Sequence, residues 1–403
     1  MVDLETIYQA HERIRAVVVE TPFAYAPRLS EECGIEIYLK KENLQVTGAF
    51  KIRGAYNKIA SLSDAERSCG VIAASAGNHA QGVAMAAQMF GCKALIVMPE
   101  STPLTKINGV RYYGAEVILA GSNYDEAYGY ASTYGTEHGM VFVHPFADEA
   151  VMAGQGTIAI EMIDTMKDLD AVLIPVGGGG LISGIASAFK ALSPKTEVIG
   201  VSALGAPAMR DSYEAKRAID STSVRTIADG IAVRDTSEIT LGHILESVDR
   251  FVSVDDEEIA NAILFLLERQ KLVVEGAGAV GVAAVLHDKL SDLKGKKVGI
   301  VLSGGNMDVT LLSIIIEKGL IKSGRKMKLT VTLVDKPGAL MQLTEMLQGL
   351  NANIVHIAYD RTSTTLAYGD ANVMIHLETK GEEHQSQIRA LLKEHRYLSS
   401  EEH

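Results

Sequence analysis

Short apolar runs rich in β-branched residues alternate with alanine-rich stretches between residues 70 and 305. These runs are residues 71–74, 94–98, 116–120, 171–176, 198–201 and 298–302. Continuous apolar strands separated by helices are typical of parallel sheets that are covered on both faces. Helical patterns occupy residues 81–89 and follow a capping box at Asp255–Glu258. The pattern therefore predicts an α/β region with parallel-type open sheets.

The pattern changes after Lys328, where Leu329, Val331 and Leu333 alternate with threonines and predict a strand with one wet face. A turn at residues 335–338 and further alternating elements follow. These are a helix with leucines at 340, 343, 347 and 350, strands at 354–359 and 371–377, and a helix with apolar residues at 388, 391 and 392. The order β-α-β-β-α, with room for a short last strand, is the ferredoxin-like split βαβ arrangement (βαββαβ). A separate domain of roughly 75 residues is expected to end the chain.

Length and composition narrow the class of protein. A chain of 403 residues is too long for one ordinary core, so two or three domains are expected. The chain is 47% hydrophobic and 22% charged, as in globular proteins. The net charge of −12 opposes phosphate backbones, so no nucleic-acid partner is expected. A small basic cluster at residues 322–328 is interpreted as part of a solvated linker.

The three cysteines and the N-terminal sequence bear on location. Cys33, Cys69 and Cys92 have no metal-type or redox-type spacing, which is typical of free thiols in a reducing compartment. The acidic start has no apolar run, and no apolar run is long enough to span a bilayer. We therefore expect a cytoplasmic protein with no membrane association.

The segment Thr47–Ala55 contains the first candidate for chemistry. Lys51 follows Phe50 and lies between Gly48 and Gly54, which allow close approach of backbone to a ligand. A lysine amine becomes a covalent catalyst when its pKa is lowered and a carbonyl group lies beside it. Taken alone, this lysine would be interpreted as a solvated surface charge, but three motifs further along supply the other parts of one cofactor site.

The strongest phosphate signal is the run of glycines at residues 177–180, between an apolar strand and the helical stretch 185–192. Consecutive glycines let several N–H groups face an anion, with the helix dipole behind them. A flexible turn is the simpler alternative, but the strand before it and the helix after it favour an anion site. The dinucleotide-binding fingerprint is absent.

Two weaker motifs also follow apolar strands. Small residues in Ser75–His79 expose N–H donors suited to a carboxylate, although N-capping by Ser75 or Asn78 explains this motif equally well. Ser303, in the segment Leu302–Asn306, offers a hydroxyl at the carboxyl edge of a sheet, where open α/β sheets place their sites. A turn is the alternative for this motif.

Together the four motifs resemble the fold-type II pyridoxal phosphate enzymes, specifically the threonine/serine dehydratases, over nearly all of residues 1–322. The resemblance implies a two-lobed catalytic region whose smaller lobe, at about 48–150, is inserted in the larger one. It implies that Lys51 is the Schiff-base lysine, that Phe50 packs against the cofactor and that Asn78 meets its phenolic oxygen. The implied phosphate ligands are Gly177, Gly178, Gly179, Gly180 and Leu181, and Ser303 would face the pyridine nitrogen.

The same resemblance implies that Ser75, Ala76, Gly77 and His79 hold the substrate carboxylate. A neutral Ser303 favours rapid loss of a β-leaving group over a long-lived carbanion. Related serine racemases have a serine base at the position of Ala76, and a methyl group cannot carry a proton. Racemisation is therefore not expected.

Some eukaryotic relatives bind a divalent cation through carboxylates just after the strand that is here 198–201. This chain has no carboxylate in Ser202–Ala206, so no metal is expected there. A monovalent ion held by backbone carbonyls is left open.

The tail resembles an ACT domain through Asp335–Leu340 and Asn353–Ile357. The resemblance implies that an amino-acid effector, isoleucine or valine, binds near Asp335 and Gly338 at an interface between subunits. A dimerisation module that binds nothing is the alternative. The expected domains are a catalytic region at 1–322, a linker at 323–327 and a regulatory domain at 328–403.

The function implied is elimination from L-threonine to give 2-oxobutanoate and ammonia, with weaker activity on L-serine, in a homo-oligomer (a dimer or tetramer). The alternatives are a serine-specific dehydratase, another β-eliminating or β-replacing enzyme, and a non-catalytic amino-acid sensor. The sequence leaves open whether the enzyme serves biosynthesis or breakdown.

Overall fold

The computed structural model describes residues 2–401, which divide into two compact units between Asp308 and Val309. The helices are α1 (Leu4–Ile14), α2 (Pro27–Cys33), α3 (Lys51–Ala60), α4 (Asp64–Cys69), α5 (Asn78–Met89), α6 (Leu104–Arg111), α7 (Tyr124–Glu137), α8 (Glu149–Thr165), α9 (Gly180–Leu192), α10 (Ala208–Ala215), α11 (Glu238–Ser247), α12 (Asp256–Phe265), α13 (Gly276–Leu286), α14 (Val309–Lys322), α15 (Ala339–Gly349) and α16 (Glu382–Glu394). Within the described residues, no helix has the length and apolar character needed to cross a membrane.

The strands are β1 (Phe23–Tyr25), β2 (Glu36–Lys40), β3 (Val71–Ala74), β4 (Ala94–Met98), β5 (Glu116–Leu119), β6 (Val141–Phe142), β7 (Ala171–Pro175), β8 (Glu197–Ala203), β9 (Arg250–Val254), β10 (Lys297–Val301), β11 (Lys326–Val334), β12 (Asn353–Asp360), β13 (Asp370–Glu378) and β14 (Leu398–Glu401). Single helical turns also occur at Glu42–Leu44 and Asp229–Ile231.

The first unit contains two sheets. The larger has the strand order β1-β2-β10-β7-β8-β9, and the smaller has β5-β4-β3-β6. All neighbours in both sheets are parallel except β1, an outer strand that pairs antiparallel with β2. The predicted α/β architecture with open parallel sheets is confirmed, and each of the six apolar runs named above is a strand.

The apolar strands are the interior of this unit. All residues of β4 and β7 are buried, as expected for strands covered on both faces. The helix α13 is buried along almost its whole length and consists of glycine, alanine, valine and leucine. Because β7 and β10 are parallel neighbours in the large sheet, the loops that follow them leave from the same edge.

The second unit contains one antiparallel sheet with the order β12-β13-β11-β14. The chain order β11-α15-β12-β13-α16-β14 confirms the predicted βαββαβ arrangement, including the short last strand. Residues Met327, Leu329, Val331 and Leu333 of β11 are buried against the helices, and the alternate residues are not. The alternation in the sequence thus predicted the covered face of the strand.

The second unit begins earlier than the expected regulatory domain. It includes α14, whereas the expected boundary placed these residues at the end of the catalytic region. In α14, Glu317 lies 2.7 Å from Lys326 Nζ and 3.5 Å from Lys328 Nζ. The residues expected to be a linker, 323–327, contain a turn and the first two residues of β11.

The outer strand β12 exposes apolar side chains. Val355, Ile357 and Tyr359 are 45%, 42% and 41% exposed. In register, Ile357 and Tyr359 lie beside the fully buried Ile375 and Val373 of β13. The apolar face of the sheet therefore continues past the part that the helices cover.

Four charged side chains are buried together in the first unit. Arg53 in α3 is fully buried and places its Nε and Nη2 2.8 Å from the two oxygens of Glu42. Its Nη1 and Nη2 donate to Glu161 of α8 at 2.6 and 2.9 Å. Lys40, at the end of β2, bonds to Glu161 and donates to Thr21 O at 2.7 Å. Two positive and two negative charges thus join α3, α8, β2 and the turn at 42–44.

The network keeps Glu42 ionised. Burial alone would raise the pKa of Glu42, but the charge and hydrogen bonds of Arg53 outweigh it and hold the pKa below its usual range. The carboxylate is therefore charged at neutral pH. Removing one partner would leave a buried charge without compensation, which costs more than the intact network contributes.

We expect Arg53→Met to lower the free energy of unfolding by about 3–5 kcal/mol, because the buried carboxyl groups of Glu42 and Glu161 would lose the guanidinium that compensates them. The measurement is denaturant unfolding at pH 7. The control is Lys190→Met, which removes a partly exposed ion pair with Asp249 (2.7 Å) and should cost less than about 1 kcal/mol. Equal costs in the two variants would contradict this account of the network.

Candidate active site

Three loops at the carboxyl ends of strands and the segment before α3 come together in the first unit. Ala49 and Gly304 form an isolated β-bridge, and Phe50 N–H donates to Ser303 O at 3.0 Å. Gly305 N–H donates to Gly48 O at 2.8 Å. The backbone therefore ties the segment that carries Lys51 to the loop after β10.

Lys51 is the first residue of α3, and its amine is held inside the site. Its Nζ donates to Pro145 O at 2.8 Å and lies 5.1 Å from the centre of the Phe50 ring. Burial disfavours the ammonium form and lowers the pKa of Lys51 to about 8, although the nearby Glu275 opposes this shift. A larger share of neutral amine is therefore available near neutral pH, which suits attack on a carbonyl carbon. Phe50 itself is 9% exposed and packs in the core of the large lobe.

The glycine loop follows β7 and leads into α9. Gly179 has φ +88°, in the left-handed region that side chains rarely adopt. A Cβ at Gly178 would lie 2.4 Å from Phe146 Cδ1, so only glycine fits there. Across the described residues, no side chain caps α9, which leaves the first N–H groups of the helix, at Gly180 and Leu181, as donors for an anion. The loop thus has the backbone geometry of a phosphate site.

The loop after β3 has a similar form. Ser75 Oγ accepts a hydrogen bond from Gly77 N–H at 3.2 Å, and α5 begins at Asn78. A Cβ built on Gly77 would meet no heavy atom within 4 Å, so the space in front of it is open. Ala76 packs at the margin of the small-lobe core. The uncapped start of α5 and this open space suit a small anionic group.

The ring of His79 is bonded to the small lobe and is not a donor for such an anion. Its Nε2–H donates to Val143 O at 2.8 Å, and Nδ1 is buried without a hydrogen-bond partner among the described residues. Burial, followed by the charge of Lys51, lowers the pKa of His79 to about 3. The imidazole is therefore neutral and supports the small lobe. A contact from His79 to the substrate would have to come from its backbone N–H.

Asn78 is held by residues to which the sequence analysis gave no role. Its Nδ2 donates to both oxygens of Glu275, at 2.8 and 3.0 Å. Its Oδ1 accepts from Asn306 Nδ2 at 2.7 Å, and Asn306 also donates to Thr47 O at 2.8 Å. Glu275 is 4% exposed, and burial raises its pKa to about 7. The signal that could have identified it is Glu275-Gly276-Ala277-Gly278 at the start of α13, another glycine-containing entry into a helix.

Phe146 and Pro145 also lie at the site, and the sequence motifs did not indicate either residue. Phe146 packs against Gly178 and Gly180, and its ring makes an edge-on contact with His144 at 4.6 Å between centroids. His144 Nδ1 accepts hydrogen bonds from the N–H groups of Phe146 and Ala147. Loop residues such as these give no sequence signal for a site, because their contacts with Lys51 and the glycine loop form only when the chain folds.

The residues expected to bind a regulator lie in the second unit. Asp335 Oδ1 accepts from Tyr359 Oη–H at 2.9 Å, and its Oδ2 lies 3.5 Å from Arg361 Nε. Gly338 has φ +87° and precedes the uncapped helix α15. A Cβ at Gly338 would meet no heavy atom within 4 Å, so the start of this helix is open.

Metal ligands are a separate question. No group of three or more His, Cys, Asp or Glu side chains suited to a metal occurs within residues 2–401. Ser202, at the position expected to lack a metal carboxylate, instead pairs with Ser253 through their hydroxyl oxygens at 2.9 Å. The expectation that no metal binds there stays a prediction.

Comparisons with known proteins agree with this geometry. A family model described as "Pyridoxal-phosphate dependent enzyme" matches residues 14–304. L-threonine ammonia-lyase of Thermotoga maritima is 52% identical over 97% of both chains, and that of Geobacter sulfurreducens is 47% identical over 99% of both.

Solved structures show the same likeness. Threonine deaminase isoform 2 from Solanum lycopersicum has a TM-score of 0.74 and 40% identity over 78% of this chain and 88% of its own. Maize serine racemase has a TM-score of 0.75 and 34% identity over 80% of this chain and 98% of its own. The family match and these relatives establish that the chain belongs to the pyridoxal-phosphate-dependent enzymes.

Proposed function

We propose that this protein is a threonine dehydratase, which converts L-threonine to 2-oxobutanoate and ammonia by α,β-elimination and acts more weakly on L-serine. The observation that carries the proposal is the full-length similarity to two L-threonine ammonia-lyases. In this chain the Lys51 amine has a lowered pKa and donates to the carbonyl of Pro145, and the next residue, Phe146, packs against the glycine loop. The tomato threonine deaminase agrees with the same activity.

The described residues fit pyridoxal phosphate. The uncapped start of α9 and its glycine loop suit the phosphate group, and an amine with a lowered pKa suits the aldehyde. We assign the phosphate to the N–H groups of Gly177–Leu181 and the ring nitrogen to the hydroxyl of Ser303. Asn78 would donate to the phenolic oxygen, and Phe50 would pack near the ring. When bound, the cofactor supplies a ring that stabilises negative charge on the substrate α-carbon.

The chain supplies binding and proton transfer. Ser75, Ala76, Gly77 and His79 would hold the substrate carboxylate beside the open space at Gly77. The N–H of Ser75 donates to Val97 O at 3.1 Å, so Ser75 would contribute its hydroxyl and the other three residues their N–H groups. Lys51 Nζ would take the α-proton as general base, and its lowered pKa increases the neutral fraction that can do so. The methyl group of Ala76 offers no second base on the opposite face of the α-carbon, which favours elimination over racemisation.

The tail and the cellular setting complete the proposal. We assign the first compact unit, with the smaller lobe at about 48–150, to the catalytic region, and the sheet and helices of residues 328–403 to an ACT regulatory domain, which α14 joins in the second unit. Isoleucine or valine would bind near Asp335 and Gly338 and act as an effector, in a homo-oligomer. The three free cysteines are in keeping with a reducing cytoplasm.

Lys51→Ala should lower the turnover of threonine by at least about a thousand-fold, because both the covalent link and the base are removed. The assay is release of 2-oxobutanoate, with circular dichroism to show that the fold survives. Borohydride should trap the cofactor on residue 51 of the wild type and leave no adduct in the variant. Lys93→Ala, which removes an exposed lysine, is the control. Full activity in Lys51→Ala would refute the assignment.

Ala76→Ser should give the enzyme measurable racemisation of L-serine, because a hydroxyl would then be present for proton return from the opposite face. Chiral chromatography of the remaining serine would detect the D-isomer. Ala74→Ser, a change of the same size in the preceding buried strand β3, is the control and should give none. Racemisation by the unaltered enzyme at the rate of elimination would contradict the proposed role of Ala76.

Isoleucine or valine should bind the wild-type protein with measurable heat and change the rate with threonine. Gly338→Ala should abolish that heat for two reasons. An alanine backbone is strained at φ +87°, and the added methyl group would enter the open space at the start of α15. Gly349→Ala, in the same helix and without a positive φ, should keep it. A wild type that gives no heat with any branched-chain amino acid would show that the tail is structural.

A further inference from the structure

Glu275 has a buried carboxyl group, and none of the roles assigned above involves it. Its side chain is 4% exposed, and both of its oxygens lie within hydrogen-bond distance of Asn78 Nδ2, at 2.8 and 3.0 Å. Its own N–H donates to Gly304 O at 3.0 Å, which fixes the backbone beside the loop after β10. A carboxyl group with so little exposure needs a partner, and here the partner is a single amide.

Two neighbouring segments leave room for this carboxyl group. A Cβ on Gly304 would lie 2.4 Å from Glu275 Oε1, and a Cβ on Gly230 would lie 3.3 Å from the same oxygen. A side chain at Gly304 would push Glu275 away from Asn78, and one at Gly230 would crowd the same oxygen. The enclosure is therefore shaped for the carboxyl group and its contact with the amide.

The contact decides which way the Asn78 amide faces. The two ends of an amide have nearly the same size, so hydrogen bonds decide between its two orientations. An ionised carboxylate only accepts, so it selects the NH₂ end, while Asn306 Nδ2 donates to the oxygen end at 2.7 Å. Asn306 is itself held by Thr47 O at 2.8 Å. The orientation of Asn78 is thus set from both sides.

We propose that Glu275 is a positioning residue: its carboxylate orients the Asn78 amide and thereby acts on the cofactor without touching it. The inference rests on the cofactor contact proposed for Asn78. The same carboxylate adds negative charge near the Lys51 amine and holds the pKa of that amine higher than burial alone would.

The ionisation of Glu275 follows from the groups that face it. Burial raises its pKa to about 7, the hydrogen bond from Asn78 lowers it, and Asp229 raises it further. Lys106 of α6 and Lys51 of α3 lower it. Above about pH 7 the group is an acceptor at both oxygens. Below that pH one oxygen carries a proton, and the contact with Asn78 Nδ2 weakens.

The first test compares pH profiles of kcat for threonine in the holoenzyme. Glu275→Gln should lower kcat about 10-fold, because a second amide facing Asn78 leaves a donor unpaired. The fall of activity on the acid side should also shift to lower pH, since the titrating carboxyl is gone and the Lys51 pKa falls. Glu116→Gln, the same change at an exposed ion pair with Lys93, is the control and should keep the wild-type profile.

A double variant tests whether Glu275 acts through Asn78. If it does, Asn78→Ala with Glu275→Gln should be no slower than Asn78→Ala alone. Losses that multiply would show that Glu275 works independently and would overturn the proposal. In the Asn78→Ala background, the protonation of Glu275 should no longer reach the cofactor through that amide, so adding Glu275→Gln should move the acid limb less than it does in the wild type. An acid limb that Glu275→Gln leaves unmoved in the otherwise wild-type enzyme would also overturn the proposal.

The third readout needs no turnover. A carboxyl group whose folded pKa is raised loses stabilisation as pH rises from its unfolded value through about 7. Apo Glu275→Gln should therefore gain stability relative to the apo wild type between pH 5 and pH 8, and Glu116→Gln should not. Parallel curves for Glu275→Gln and wild type would contradict the assignment. A wild type that fails to deaminate threonine would refute the proposed function, and this readout would still stand.

Discussion

The position of Lys51 depends on charges buried two residues further along the same helix. Arg53 joins Glu42, in the turn before α3, to Glu161 of α8, with both carboxylates at hydrogen-bond distance. Such an arrangement stabilises little in total, because removing four charges from water offsets most of their attraction. It does make any displaced arrangement costly, since a shift of α3 would break several charged contacts at once. The start of α3 is therefore fixed to its neighbours more firmly than apolar packing alone would fix it.

The site itself is assembled from the beginnings of helices. In the described chain, α3, α5, α9 and α13 all start there without a side-chain acceptor, whereas Asn123 and Asp255 cap α7 and α12. Each uncapped start contributes partial positive charge and unpaired N–H donors. That environment suits phosphate and carboxylate groups and disfavours an ammonium ion at Lys51. Burial, in contrast, makes ionisation costly for both Lys51 and Glu275, so part of the folding free energy is given up at the candidate site.

Strands with continuous apolar character could be predicted from the sequence, and those with weaker character could not. Residues 71–74 and 94–98 match β3 and β4 because both are buried on two faces. In contrast, β6 has only two residues, and all but one residue of β9 are partly exposed. The capping box predicted at Asp255–Glu258 is confirmed and marks the start of α12. The start of α5 was predicted too late: the helix begins at Asn78, three residues before the expected stretch, because its first turn lacks an apolar pattern.

The parts of the candidate site that lie within sequence motifs could be predicted, and the contacts between distant segments could not. The glycine loop and Lys51 are recognisable because their local sequence dictates their backbone. The direction of the His79 ring and the contact between Asn78 and Glu275 could not be predicted, since 197 positions separate the two partners in sequence. Domain limits were also hard to place. The partners of Glu317 show that α14 packs with the sheet of the second unit, and no local signal in its apolar sequence indicates that.

The exposed apolar residues of β12 have a consequence for handling the tail as an isolated fragment. An outer strand offers a row of N–H and C=O groups, and Val355, Ile357 and Tyr359 add an apolar surface beside it. Strands of this kind recruit further strands, so the fragment should self-associate as its concentration rises. Sedimentation over a dilution series would reveal this, and charged residues introduced on β12 would be the natural way to keep such a fragment dispersed.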